Sequence, residues 1–161
     1  MIHAQTTPHP PTHLIAPALL TSPQNTTIIQ CINLTLPFIT SSTPGISGSQ
    51  SLTLPTVNTT YTILPPRFNG GLHNAPVPQL VHFLSGIVHI TLPQEPEGEG
   101  LWIVGGKGGL LFAADTTGRG HVTVYPGDEA TVGVLAPFQS GVLPRFTIVK
   151  EGGCEGVQTF L

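Results

Sequence analysis

The chain has 161 residues, a formal net charge of −3 and a mean hydropathy of +0.23. Only 8% of its residues are charged, against about 25% in an average soluble domain, which argues against intrinsic disorder. The five cations, Arg67, Lys107, Arg119, Arg145 and Lys150, form no run or stripe, so no nucleic-acid partner is expected.

The length suits one domain with a self-sufficient core. The poorly charged surface points to self-association, and a homodimer is expected. Residues 1–24 are rich in Pro, Thr and His and read as an extended or disordered arm, leaving 25–161 as the folded domain. The arm lacks a basic segment followed by a continuous apolar core, so it does not read as a signal peptide. No apolar run approaches the roughly 20 residues that span a bilayer, and no membrane partner is expected. Asn-x-Thr sequons occur at Asn25, Asn33 and Asn58. In so Thr-rich a chain they are expected by chance, and the default localisation is cytoplasmic. Cys31 and Cys154 read as reduced thiols, because two cysteines do not make a disulfide scaffold.

Strand character dominates from residue 27 onward. The stretch 27–38 is β-branched and alternating, and 59–64 continues that character. Residues 40–56 between them read as a long loop. Further strands are expected at 79–92, 101–104, 109–114, 121–125, 129–135 and 145–149, with Gly- and Pro-rich punctuation between them. The tip 94–100 carries Glu95, Glu97 and Glu99. It reads as a solvated hairpin end, since nothing holds the three carboxylates on one rigid face. No stretch keeps a 3.6-residue apolar period. Short, regularly spaced strands with turns between them indicate an all-β sandwich or closed barrel.

Two stretches carry the chemistry. The first runs from Gly71 through His73 and Gln79 to Gly86, and the second from Gly108 through Asp115-Thr116-Thr117-Gly118 to His121. His73 and Gln79 are an even number of residues apart, which on an unbroken strand keeps them on one face. Val81, Phe83 and Ser85 would share that face, and His82 would lie on the other.

This pair of stretches resembles the two motifs of the cupin superfamily. His73 matches the first motif's leading His, Gln79 its Glu and Gly86 its closing Gly. His121 matches the final His of the second motif. The match is best with small single-domain cupins carrying His-x-Ala-Pro-x-x-Gln and Asp-Thr-Thr-Gly-x-Gly-His segments, and it covers residues 60–137. It implies a single-domain double-stranded β-helix, or jelly-roll barrel. It departs at Ala75, which stands where the second cupin His belongs, and at Gln79, which replaces the anionic Glu. First-row metals favour imidazole and carboxylate over an amide oxygen. His73, Gln79 and His121 are therefore either ligands of a weakly held divalent metal, zinc rather than iron, or metal-free hydrogen-bonding and acid/base groups.

Other residues are assigned to the pocket with a structural alternative beside each. Val81, Phe83 and Trp102 form an apolar wall or belong to the core. Arg67 and Arg119 orient an anionic group or make surface ion pairs. Asp115 and Thr117 line the mouth or form a turn. The expected partner is an apolar, oxygenated small molecule, a secondary-metabolite intermediate. The expected chemistry is non-oxidative: dehydration, isomerisation or cyclisation by a lyase or isomerase. A metal-dependent dioxygenase and a non-catalytic binding protein are the alternatives.

Overall fold

The structure, a computed structural model, describes residues 11–155. It is all-β. In chain order the strands are β1 (His13–Thr21), β2 (Thr27–Pro37), β3 (Ile39–Thr40), β4 (Gln50–Ser51), β5 (Thr60–Leu64), β6 (Phe68–His73) and β7 (Gln79–Ser85). They continue as β8 (Ile87–Thr91), β9 (Leu101–Val104), β10 (Leu110–Ala113), β11 (His121–Tyr125), β12 (Thr131–Pro137) and β13 (Phe146–Glu151). Among the described residues no helix is long and apolar enough to cross a membrane.

The strands form a seven-stranded sheet in the order β13-β2-β1-β10-β7-β12-β5 and a four-stranded sheet in the order β6-β11-β8-β9. The ladders leave both sheets open, in place of the closed hydrogen-bonded ring expected of a barrel. The sheets pack face to face. Leu19, Val81, Phe83 and Leu111 of the larger meet Val88, Ile90, Leu101 and Ile103 of the smaller in one core cluster. A second cluster lies on the other face of the larger sheet. There Ala16, Ile32, Leu34 and Phe112 are covered by Phe38, Leu52, Leu54 and Phe138. Strand β1, covered on both faces, buries four consecutive residues, Ala16 to Leu19, as expected for an interior strand, whereas β2 buries largely alternate residues.

The expected arm over 1–24 is corrected in part. His13–Thr21 is a central strand, antiparallel to β2 over most of its length and parallel to β10 at Ala18 and Leu19. Pro17 masks it in the sequence, since proline cannot donate to a ladder. It is tolerated because the pairing with β10 begins only at Ala18. Residues 1–10 of that arm lie outside the described residues. The loop expected over 40–56 holds the short hairpin β3–β4. The stretch 79–92 is two strands rather than one, divided at Gly86.

Cys31 and Cys154 are joined by a disulfide rather than free. The pairing of β13 with β2 sets Lys150 opposite Cys31 and brings the following residues alongside. A contact spanning 123 positions leaves no local trace in the sequence. The pairing overturns the expectation of reduced thiols, and such bonds are rare in the cytosol.

Candidate active site

His73 ends β6 and His121 begins β11, and the two are direct partners across the antiparallel ladder. Their rings lie 4.4 Å apart, centroid to centroid, tilted by 58°. Gly120 permits this approach. Its φ of +72° is one that side-chain-bearing residues rarely adopt, and a Cβ there would stand 2.5 Å from the His73 carbonyl oxygen.

Each imidazole is oriented through Nδ1. In His73, Nδ1 lies 2.9 Å from the Gly71 carbonyl. A carbonyl only accepts, so Nδ1 carries the proton. In His121, Nδ1 lies 2.7 Å from Asp115 Oδ2, which also accepts a 2.8 Å hydrogen bond from the Thr27 hydroxyl. Both tautomers are thereby set, and Nε2 of each ring is the nitrogen left for a ligand. Asp115 is completely buried, and its Oδ1 has no hydrogen-bond partner among the described residues. Asn74 holds the Asp115 loop in place by donating to the carbonyls of Asp115 and Thr117.

The two rings differ in access to water. His73 is exposed, whereas His121 is 4% exposed. Between them opens a cavity of about 150 Å³ lined by Leu64, Ala75, Val81, Phe83, Leu111 and Leu135, with Gln79, Thr62, Thr123 and Tyr125 as polar groups. A cavity of this volume holds a single six-membered ring. Burial pushes the Tyr125 hydroxyl up to about 12, so it is a neutral donor at ordinary pH.

Of the residues assigned from sequence, His73, Gln79, Val81, Phe83 and His121 converge on this cavity. The route differs from the one expected. The chain breaks between β6 and β7, and the two strands belong to opposite sheets. His73 and Gln79 therefore meet across the sandwich, not along one strand face. Arg67, Thr117 and Trp102 are not brought in. Arg67 pairs with Asp128 at the surface, the alternative weighed for it. Thr117 is exposed and contributes only its carbonyl to local bonds. Trp102 is 58% exposed and stacks on His89 on the outer face of the smaller sheet.

Two residues escaped the sequence reading. Thr123 and Tyr125 follow His121 at steps of two, and alternation along β11 was enough to find them. For Asp115 the sequence offers the pocket mouth or a turn, and nothing in the spacing reveals that its carboxylate turns inward to His121. A second, shallower groove of about 600 Å³ runs between β2 and the 94–100 tip and holds Glu95, Glu99 and Glu151. Burial, and then repulsion from Glu99, raises the Glu95 carboxyl above its ordinary value. The groove has no imidazole among its lining residues, so the smaller cavity is the better candidate for proton chemistry.

The site does not fit a tightly held metal of the cupin kind. Two imidazoles and a neutral amide supply no anionic donor, and the one nearby carboxylate points its Oδ2 at His121 Nδ1 and Thr27. No protein-family model matches this chain. No curated protein matches it either.

Proposed function

We propose that the chain is a cupin-like jelly roll that performs non-oxidative acid/base chemistry on a small, largely apolar oxygenated molecule. The winding supports the fold. From β5 to β12 the chain passes from one sheet to the other at every step except β8 to β9, as a double-stranded helix requires. The observation that carries the function is the pair of tautomer-fixed imidazoles, one exposed and one buried, at a cavity with few polar groups.

In this reading the substrate carbonyl accepts a hydrogen bond from the Gln79 amide. His121 Nε2 removes a proton from the adjacent carbon, and the electron pair moves onto the carbonyl oxygen as an enolate. The Asp115 carboxylate stabilises the imidazolium that forms. His73, which is in contact with solvent, takes a proton from water on Nε2 and delivers it as an imidazolium, and His121 gives up the proton it took before the next turnover, so both rings end as they began. Delivery to the γ carbon of a β,γ-unsaturated ketone gives the conjugated isomer, and delivery to a β-hydroxyl expels water and gives dehydration.

The test is solvent-deuterium incorporation into single-ring enones and β-hydroxy ketones, followed by NMR in D2O. Wild-type protein treated with chelator is expected to exchange the proton beside the carbonyl. His121→Ala should lower that rate by about 10²-fold or more. Two results overturn the reading: exchange indifferent to His73→Ala and His121→Ala, or exchange lost on chelation and restored by zinc.

A further inference from the structure

We infer that this chain matures in an oxidising secretory compartment and carries an N-linked glycan on Asn58. Two independent features lead there. The first is the Cys31–Cys154 disulfide. Disulfides persist in secreted proteins and are rare where glutathione and thioredoxin keep thiols reduced. Cys31 is 1% exposed in the interior of β2, and Cys154 is half-buried. Its formation releases two protons and two electrons, which pass to a protein disulfide of the oxidising compartment.

The second feature is how the fold treats the three sequons. Asn33 lies inside the larger sheet, opposite Ile15 of β1 on one side and Thr147 of β13 on the other, with its Oδ1 buried. A glycan cannot be accommodated there. Asn25 is also exposed, with a φ of +58° in the β1–β2 turn, but it packs against the loop that carries Asp115. A Cβ at Gly118 would come within 2.4 Å of the Asn25 carbonyl oxygen and 3.1 Å of its Oδ1. Asn58 has neither constraint. It is exposed, adopts a φ of +49° in the turn that leads into β5, and leaves its side chain in solvent. Sequons that accept glycans lie on such surface turns.

In the modification, Asn58 Nδ2 forms a bond to the anomeric carbon of a lipid-linked oligosaccharide. The polyprenyl diphosphate leaves and the amide gives up one proton. The glycan would stand beside the open edge strand β5 and shield it from pairing with another chain, a common need of exposed strand edges.

The experiment is mass spectrometry of the protein isolated from its own cells, before and after peptide-N-glycosidase. Expected are two cysteines that resist alkylation until reduced and a glycosidase-sensitive mass mapping to Asn58, which is left as aspartate. Asn58→Gln expressed in the same cells should lose that mass and keep the disulfide. The inference is overturned if both cysteines alkylate without reductant, if Asn58 is bare, or if the glycan maps to Asn25 or Asn33 alone.

Discussion

Asp115 Oδ2 stands 2.7 Å from His121 Nδ1, and both side chains are cut off from solvent. A buried carboxylate bonded to one nitrogen of an imidazole fixes which nitrogen faces the ligand. The same oxygen takes the Thr27 hydroxyl across the sheet, so three elements meet on one atom. Asp115→Asn keeps the volume but presents an amide that can donate to Nδ1 and reverse the tautomer. Its expected effect is a fall in kcat with little change in KM, read in the deuterium-exchange assay. Thr27→Val should leave His121 oriented and cost about 1 kcal/mol in urea unfolding.

Gln79 is a neutral amide on the same cavity as the two imidazoles, where a carboxylate would complete a metal-binding set. Restoring the anion tests whether charge alone separates this site from a metal centre. Gln79→Glu is expected to bind zinc at least tenfold more tightly than wild type, about 1.4 kcal/mol, by isothermal titration. His121→Ala added to Gln79→Glu should abolish the gain. No gain in the single variant would mean that residue 79 and the two imidazoles do not face a common point.

What the sequence conveyed and what it hid divide along local and non-local lines. Alternation located β2, β5, β9, β10, β11 and most of β12, because each buries one face and exposes another or is framed by Gly and Pro. Strand β1 was hidden because Pro17 breaks the pattern and both faces are covered. The motif residues His73, Gln79 and His121 could be named, but not the reason they meet. That reason is the crossing between sheets at 74–78, a tertiary event without a periodic trace. Asp115 was legible as a pocket-mouth residue or a turn former without a choice between them, since an aspartate followed by Thr-Thr-Gly satisfies the second role equally well. Arg67 and Trp102 stood out as rare residue types, and rarity proved a poor guide to placement.

Gly86 is held at its position by sterics. It adopts a φ of +90° where the chain leaves β7 for β8 in the opposite sheet, and a Cβ would lie 2.1 Å from Thr131 Oγ1. Thr131 is itself buried at 1% exposure. Gly86→Ala therefore combines an unfavourable backbone conformation with a clash against a packed neighbour. A loss of roughly 2–4 kcal/mol is expected in urea unfolding. Adding Thr131→Ser should recover little, because serine keeps the hydroxyl, Cβ and Cα that all stand within 3 Å of the added carbon.

Tyr125 links the cavity to alkaline stability. Burial raises its hydroxyl from 10.0 to about 12. Between those values the unfolded chain loses this proton and the folded chain keeps it. Folding is then linked to proton retention, so stability falls as pH rises from about 10 toward 12. Below pH 10 both states hold the proton and the slope vanishes. Tyr125→Phe should flatten this part of the stability curve. Absorbance titration near 295 nm should lose its late-ionising step in the same variant.

The disulfide ties an edge strand to the sheet interior, and its removal should act locally before it acts globally. Strand β13 has a neighbour on one side only, β2, and its ladder is irregular between Ile148 and Lys150. Cross-linking positions 123 residues apart restricts the unfolded chain, a contribution typically of about 2–4 kcal/mol. Replacing Cys31 and Cys154 together by Ala should lower the urea midpoint accordingly. Hydrogen exchange should report where the loss falls. Amides of Phe146–Glu151 should lose protection first, while those of β1 and β10, flanked on both sides, should follow global unfolding. Equal loss of protection in all three strands would show that the bond acts only through the unfolded state and does not pin β13.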